Sequence, residues 1–192
     1  MGVVIVMNIT SSRKFPKVKR DSFTLVELLV VISIIGLLAG LGLPAINGGI
    51  QAGRKAEVAG MAESIKTAVN AFYAEYSTYP TNSSGTTFSN TSLEFLGIMS
   101  TTTNTNGGNC RGIAFLEVPP KFTNANGIVT PRGFSTNTNN TFFILIDTGG
   151  LGFVNPKLVS DTLTNTNGAS SVAVWVLDPK DTKGQKAVGT FR

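Results

Sequence analysis

From Phe23 to Ile46 the chain runs through 24 residues, FTLVELLVVISIIGLLAGLGLPAI, in which Glu27 is the single ionisable side chain. A helix rises 1.5 Å per residue, so this run reaches about 36 Å, enough for a hydrocarbon layer of roughly 30 Å. Five basic residues, Arg13, Lys14, Lys17, Lys19 and Arg20, precede it within eight positions that hold no acid. Positive charge on that side places the N-terminus in the cytoplasm and the C-terminus outside. The apolar run is longer than the roughly 7–15 residues of a cleaved secretory signal, and no small-x-small site follows it. An ordinary signal anchor is the lesser alternative that these features leave open.

Composition narrows the chemistry. The chain has 192 residues, no histidine and one cysteine, Cys110. No Ser-His-Asp or Cys-His arrangement is possible, no His-ligated zinc, no internal disulfide and no Cys-cluster metal site. No catalytic constellation is in view, and no enzyme is expected. The net charge of +5 invites a nucleic-acid reading, but the excess sits in residues 1–22; the rest holds 11 basic and 10 acidic residues. A nearly neutral remainder without a basic stripe gives phosphate neutralisation little to work with, so no nucleic-acid partner is expected.

Glu27 exceeds what an anchor needs. A carboxylate inside an apolar span costs about 2.5–3.5 kcal/mol by insertion scales, and it needs a cationic partner. It lies just past an abrupt polar-to-apolar junction, Lys19-Arg20-Asp21-Ser22 against Phe23-Thr24-Leu25-Val26-Glu27. That junction and the run behind it, KRDSFTLVELLVVISIIGLLAG, resemble the class III leader and N-terminal segment of type IV pilins and type II secretion pseudopilins.

The resemblance implies a prepilin, cut on the cytoplasmic side by a prepilin peptidase between Ser22 and Phe23 and then N-methylated on Phe23. It makes Glu27 the family's acidic assembly residue, and it sets Pro44 and Gly36 where many members carry proline and glycine. The family normally has glycine before the cut, where this chain has Ser22. It further implies a self-polymerising filament subunit served by an inner-membrane platform protein and a cytoplasmic assembly ATPase. The precursor would be a single-pass protein of the bacterial inner membrane, later a periplasmic or cell-surface filament. In a filament, Glu27 of one subunit facing the Phe23 ammonium of the next is worth about 1 kcal/mol at 4 Å in water and about 4 at an effective dielectric of 20. That matches the cost of burying Glu27, so the pair would set axial register.

After the apolar run the period changes. Val58, Met61, Ile65, Val69, Phe72 and Tyr76 form one stripe at spacings of 3 and 4, with Glu57, Glu63, Lys66 and Glu75 on the other faces. The stripe is expected to pack on the chain's own domain. Gly36, Gly40, Gly42, Pro44, Gly48, Gly49 and Gly53 weaken the helix between its halves, each glycine by roughly 1 kcal/mol and the proline by about 3. A kink near Pro44 is expected, with local melting on filament assembly, and close helix–helix approach is a compatible use of the glycines. The helix should end at Ser77-Thr78-Tyr79-Pro80.

Beyond, the chain is rich in Asn, Thr, Ser and Gly, with loops expected at 101–109 and 135–141. Strands are expected at Ile113–Val118, Thr141–Ile146, Ser171–Leu177 and Ala187–Phe191, and Leu93–Met99 reads as a short helix or strand. The fold class is therefore α+β: a long helix on a small antiparallel sheet with long Asn/Thr-rich loops. Four regions follow: a basic leader at 1–22, a transmembrane and assembly helix at 23–46, an amphipathic helix at 47–78 and a globular extracytoplasmic domain at 79–192.

Within the resemblance, Tyr79-Pro80 and the absence of a cysteine pair come closest to the major pseudopilin of type II secretion, which often binds calcium through a late loop. Asp147, Asp178 and Asp181 are the weak calcium candidates, and they read better as solvated turn residues. Glu94 and Glu117 are isolated carboxylates. Two functions of different class stand: a non-catalytic filament subunit, and a signal-anchored module that recognises glycan, surface or cargo without polymerising.

Overall fold

The computed structural model describes residues 23–100, 108–131, 134, 139–156, 170–181, 183 and 186–190. Ser22, the leader and most of the two expected Asn/Thr-rich loops lie outside them. The chain divides into two compact units, residues 1–47 and 48–192.

Helix α1 spans Leu25–Tyr76 and carries helical backbone through Pro44 and the glycines around it. In the first unit, the most apolar 18-residue window of α1 is not buried at all; by length and composition this is the one helix among the described residues able to cross a membrane. In the second unit α1 does what its period demands. Val58, Ile65, Val69 and Phe72 are fully buried, Met61 nearly so, and Ala62 and Ala68 complete the stripe. Ser77 ends the helix in the left-handed region (φ 56°), its N–H donating to the carbonyl of Tyr73 at 2.7 Å, and Pro80 follows.

The stripe shares a core with α2 (Leu93–Ser100) and with a three-stranded antiparallel sheet. The sheet has β3 (Phe143–Ile146), β4 (Val172–Leu177) and β5 (Ala187–Gly189) in the order β3-β4-β5, with Phe143 opposite Trp175 and Trp175 opposite Gly189. Central β4 is buried at all six positions, which explains its unbroken apolar run. Val172, Val174 and Val176 join the α1 core, while Ala173, Trp175 and Leu177 pack with Val154, Phe143 and Leu145 in a second cluster. A fully buried strand shows no alternation in sequence because both faces are apolar.

The stretch expected as a strand at Ile113–Val118 is not one. It belongs to no ladder; instead the N–H groups of Phe115 and Leu116 both donate to the carbonyl of Met99, at 2.8 and 2.9 Å. Phe115 packs its ring on Phe72 and Tyr76, so α2 and α1 hold this segment in place of strand pairing. A small hairpin was not anticipated: β1 (Thr123–Asn124) and β2 (Gly127–Ile128), antiparallel. Thr91, fully buried, stitches it to β3. Its hydroxyl donates to the carbonyl of Ile128 at 2.6 Å and accepts from the N–H of Phe142 at 2.9 Å. Ends also differ: the expected strand at Thr141–Ile146 begins at Phe143, the one at Ser171–Leu177 begins at Val172, and Leu93–Ser100 resolves as helix.

Candidate processing and assembly segment

The first turn of α1 is built by a reciprocal cap. Thr24 is the N-cap: its hydroxyl accepts from the N–H of Glu27 at 3.2 Å. Glu27 returns the bond, its Oε2 accepting from the N–H and the hydroxyl of Thr24, each at 2.9 Å. This is the capping box that a Thr-x-x-Glu sequence specifies, and it satisfies helix N–H groups that would otherwise be orphaned. The anionic side chain also complements the positive end of the helix dipole. Thr24-Leu25-Val26-Glu27 carries that signal in plain sequence, and reading Glu27 solely as an intramembrane acid passed over it. Every bond of the cap lies C-terminal to the Ser22–Phe23 bond, so a cut there leaves it intact.

Around this cap the surface is apolar. Phe23 is 74% exposed and Leu25 78%, and large aliphatic side chains stay open along the helix as far as Ile50. A Cβ built on Gly36, Gly40, Gly42, Gly48, Gly49 or Gly53 meets nothing within 4 Å. Nothing among the described residues of this chain therefore requires glycine at those six places. Pro44 lies within α1.

Each of the three late aspartates is engaged within the chain. Asp147 Oδ1 accepts from the N–H of Gly149 at 3.1 Å and its Oδ2 from that of Gly152 at 2.6 Å. Asp181 accepts from the N–H groups of Lys183 and Lys186 at 3.1 and 2.6 Å. Asp178 Oδ2 is ion-paired with Lys55 Nζ at 2.6 Å, and its Oδ1 accepts from the N–H of Lys180 at 3.0 Å. Burial pushes the Asp178 carboxyl up, but the hydrogen bonds from Lys55 and Lys180 and the charges of Lys55 and Lys186 outweigh it and hold it below the usual carboxylate range. Among the described residues no three Asp, Glu or Cys side chains gather as a metal site would need.

Two further ion pairs tie α1 to the chain beyond it, Glu57 with Lys121 in the short 3-10 helix Pro120–Phe122 and Glu75 with Arg111. Glu94, expected to stand isolated, accepts from the N–H of Ser83 at 2.6 Å and fixes the turn at 82–86. Cys110 is an exposed free thiol.

The structure thus joins an open apolar helix, capped by an acid in its first turn and long and apolar enough to cross a membrane, to an α+β domain. Residues 18–43 match the prokaryotic N-terminal methylation motif. The chain is 34% identical over 121 residues to a fimbrial protein of Neisseria meningitidis serogroup A, covering 63% of this chain and 59% of that protein. Over 121 residues it is 33% identical to the type IV major pilin protein PilE1 of Neisseria gonorrhoeae, covering 63% and 62%. It is 42% identical over 86 residues to a type IV major alpha-pilin of Moraxella bovis, covering 45% and 52%. The chain thus spans about six-tenths of the length of the first two. No solved structure matches it.

Residues 18–43 thus carry the N-terminal methylation motif, and the similar proteins named here are fimbrial and type IV pilin proteins. The expected leaning toward the major pseudopilin of type II secretion finds no support, because the relatives named here are fimbrial and type IV pilin proteins.

Proposed function

We propose that this chain is the structural subunit of a type IV pilus-like surface filament. It is made as a single-pass precursor with its basic leader in the cytoplasm, cut by a prepilin peptidase between Ser22 and Phe23, and N-methylated on Phe23. The observation that carries the reading is the apolar half of α1, open on all sides and bearing one acid. In the precursor a bilayer covers it. In a filament the same surface is covered by neighbouring subunits, and the open glycines let their backbones approach.

Cleavage supplies what Glu27 lacks. The leader holds the Phe23 nitrogen in a neutral peptide bond; cutting frees it as an ammonium. An ammonium of one subunit near Glu27 of the next recovers about 4 kcal/mol at 4 Å and an effective dielectric of 20, against a burial cost of about 2.5–3.5. The near balance makes register strict and makes processing the switch for assembly, since a buried charge is best attested as a registry device. An inner-membrane platform protein and an assembly ATPase would extract the subunits. Relatives that are pilins favour a pilus over a secretion pseudopilus.

The test is electron microscopy of sheared surface filaments from cells making this chain, with and without an active prepilin peptidase, using antibody against the globular domain. Labelled filaments only with the active peptidase support the reading. Processed chain that stays in the membrane with no labelled filament overturns it.

A further inference from the structure

A groove of about 700 Å³ opens beside the C-terminal end of α1. Tyr73 and Tyr79 line it, stacked with ring centroids 4.5 Å apart and planes at 26°, and Tyr73 is 45% exposed. Asn70, Thr81, Asp147 and Ser171 contribute amide, hydroxyl and carboxylate groups to the same lining. The loop after β3 is fastened before any ligand arrives. Asp147 grips the N–H groups of Gly149 and Gly152, and its own N–H donates to the carbonyl of Ser171 at 2.7 Å. On the other flank Thr81 and Thr87 are bridged in antiparallel fashion. A pre-formed site loses little to ordering on binding.

We propose that this groove binds a neutral oligosaccharide. Aromatic faces take the C–H face of a pyranose ring, and the surrounding hydroxyls and amide both give and accept hydrogen bonds, as sugar hydroxyls require. Asp147 adds a charged acceptor for a sugar hydroxyl, and such bonds are the stronger kind. No lysine or arginine lines the groove among the described residues, so an anionic ligand finds no counter-charge there. The site lies within the globular unit and does not depend on polymerisation.

The sequence has three tyrosines, Tyr73, Tyr76 and Tyr79, which makes fluorine NMR decisive. The full chain, labelled with 3-fluorotyrosine in lauryldimethylamine oxide micelles (a detergent without a sugar headgroup), is titrated with cellotetraose, maltotetraose and N,N′,N″,N‴-tetraacetylchitotetraose. The expected result is a saturable shift of Tyr73 and Tyr79 with at least one of them below roughly 10 mM, with Tyr76 unmoved. Tyr73→Ala should weaken that binding at least about tenfold, and Asn70→Ala, at an exposed helical position, should weaken it as well. Three results overturn the proposal: no shift with any tetrasaccharide, equal shifts at Tyr76, or shifts with tetramethylammonium and none with the sugars.

Discussion

Replacing Glu27 by glutamine separates the two jobs this side chain holds. Glutamine keeps a capping-box acceptor three residues after Thr24, so the bonds to the Thr24 N–H and hydroxyl, both 2.9 Å, can persist. It removes the charge. Losing an ammonium–carboxylate pair at 4 Å and an effective dielectric of 20 forfeits about 4 kcal/mol per subunit contact, close to three decades in an association constant. Membrane insertion should improve, since an ionised side chain in the span costs about 2.5–3.5 kcal/mol. Thr24→Ala does the reverse: it keeps the charge and loses the cap, worth about 1 kcal/mol. The assay is the ratio of sheared filament to membrane-inserted subunit, by quantitative immunoblot. Glu27→Gln should lower that ratio by at least roughly a hundredfold with insertion undiminished, while Thr24→Ala should stay within about tenfold of wild type. Normal filaments from Glu27→Gln, with none from Thr24→Ala, would refute the electrostatic argument and leave Glu27 as a cap alone.

Other predictions concern the globular unit. The Asp178 carboxyl titrates below its ordinary value of 3.8, so its contribution is complete above that value and is lost as pH falls through the lower folded one. Urea midpoints of wild type and Asp178→Asn, in micelles, should differ at pH 7 and converge as pH falls below 3.8; a gap that persists in acid would contradict the pair with Lys55. Asn109 is fully buried, donating to the carbonyls of Ile98 and Ile113 at 2.8 and 2.9 Å and accepting from the Tyr76 hydroxyl at 2.8 Å. Asn109→Ala should cost about 3 kcal/mol, read as a lowered urea midpoint, and an unchanged midpoint would show that the loop is not held there. Gly127 sits at φ +116° with a built Cβ only 2.3 Å from the Ser92 backbone carbon, so Gly127→Ala should destabilise by more than about 2 kcal/mol in thermal unfolding. A neutral effect would mean the hairpin shifts freely.

Local pattern carried the long helix. The spacing from Val58 to Tyr76 identified the buried face because helix geometry repeats every 3.6 residues whatever lies opposite. It carried β3 and β4 nearly as well, since Phe143–Ile146 and Val172–Leu177 are apolar runs too short for helices. The same logic misread Ile113–Val118, where an extended apolar stretch is consumed by Met99 and two aromatic rings from distant parts of the chain. The β1–β2 hairpin escaped because its strands have two residues each, although Asn126-Gly127 is a turn signal and Asn124 Oδ1 accepts from the Asn126 N–H at 2.7 Å. At the membrane end Glu27 was legible as an anomaly, and its cap was legible too in Thr24-x-x-Glu27. Partners separated by 36 to 123 positions, Glu75 with Arg111 and Lys55 with Asp178, were not, because no local rule links them.

The most direct test of the filament account is the mass of the N-terminal peptide of the chain recovered from its native envelope and surface fractions. The account predicts a peptide that begins at N-methylated Phe23, with the unprocessed form confined to the membrane. A surface or mature envelope chain that still carries residues 1–22 would contradict it, because Phe23 would then have no ammonium to offer Glu27 of a neighbour.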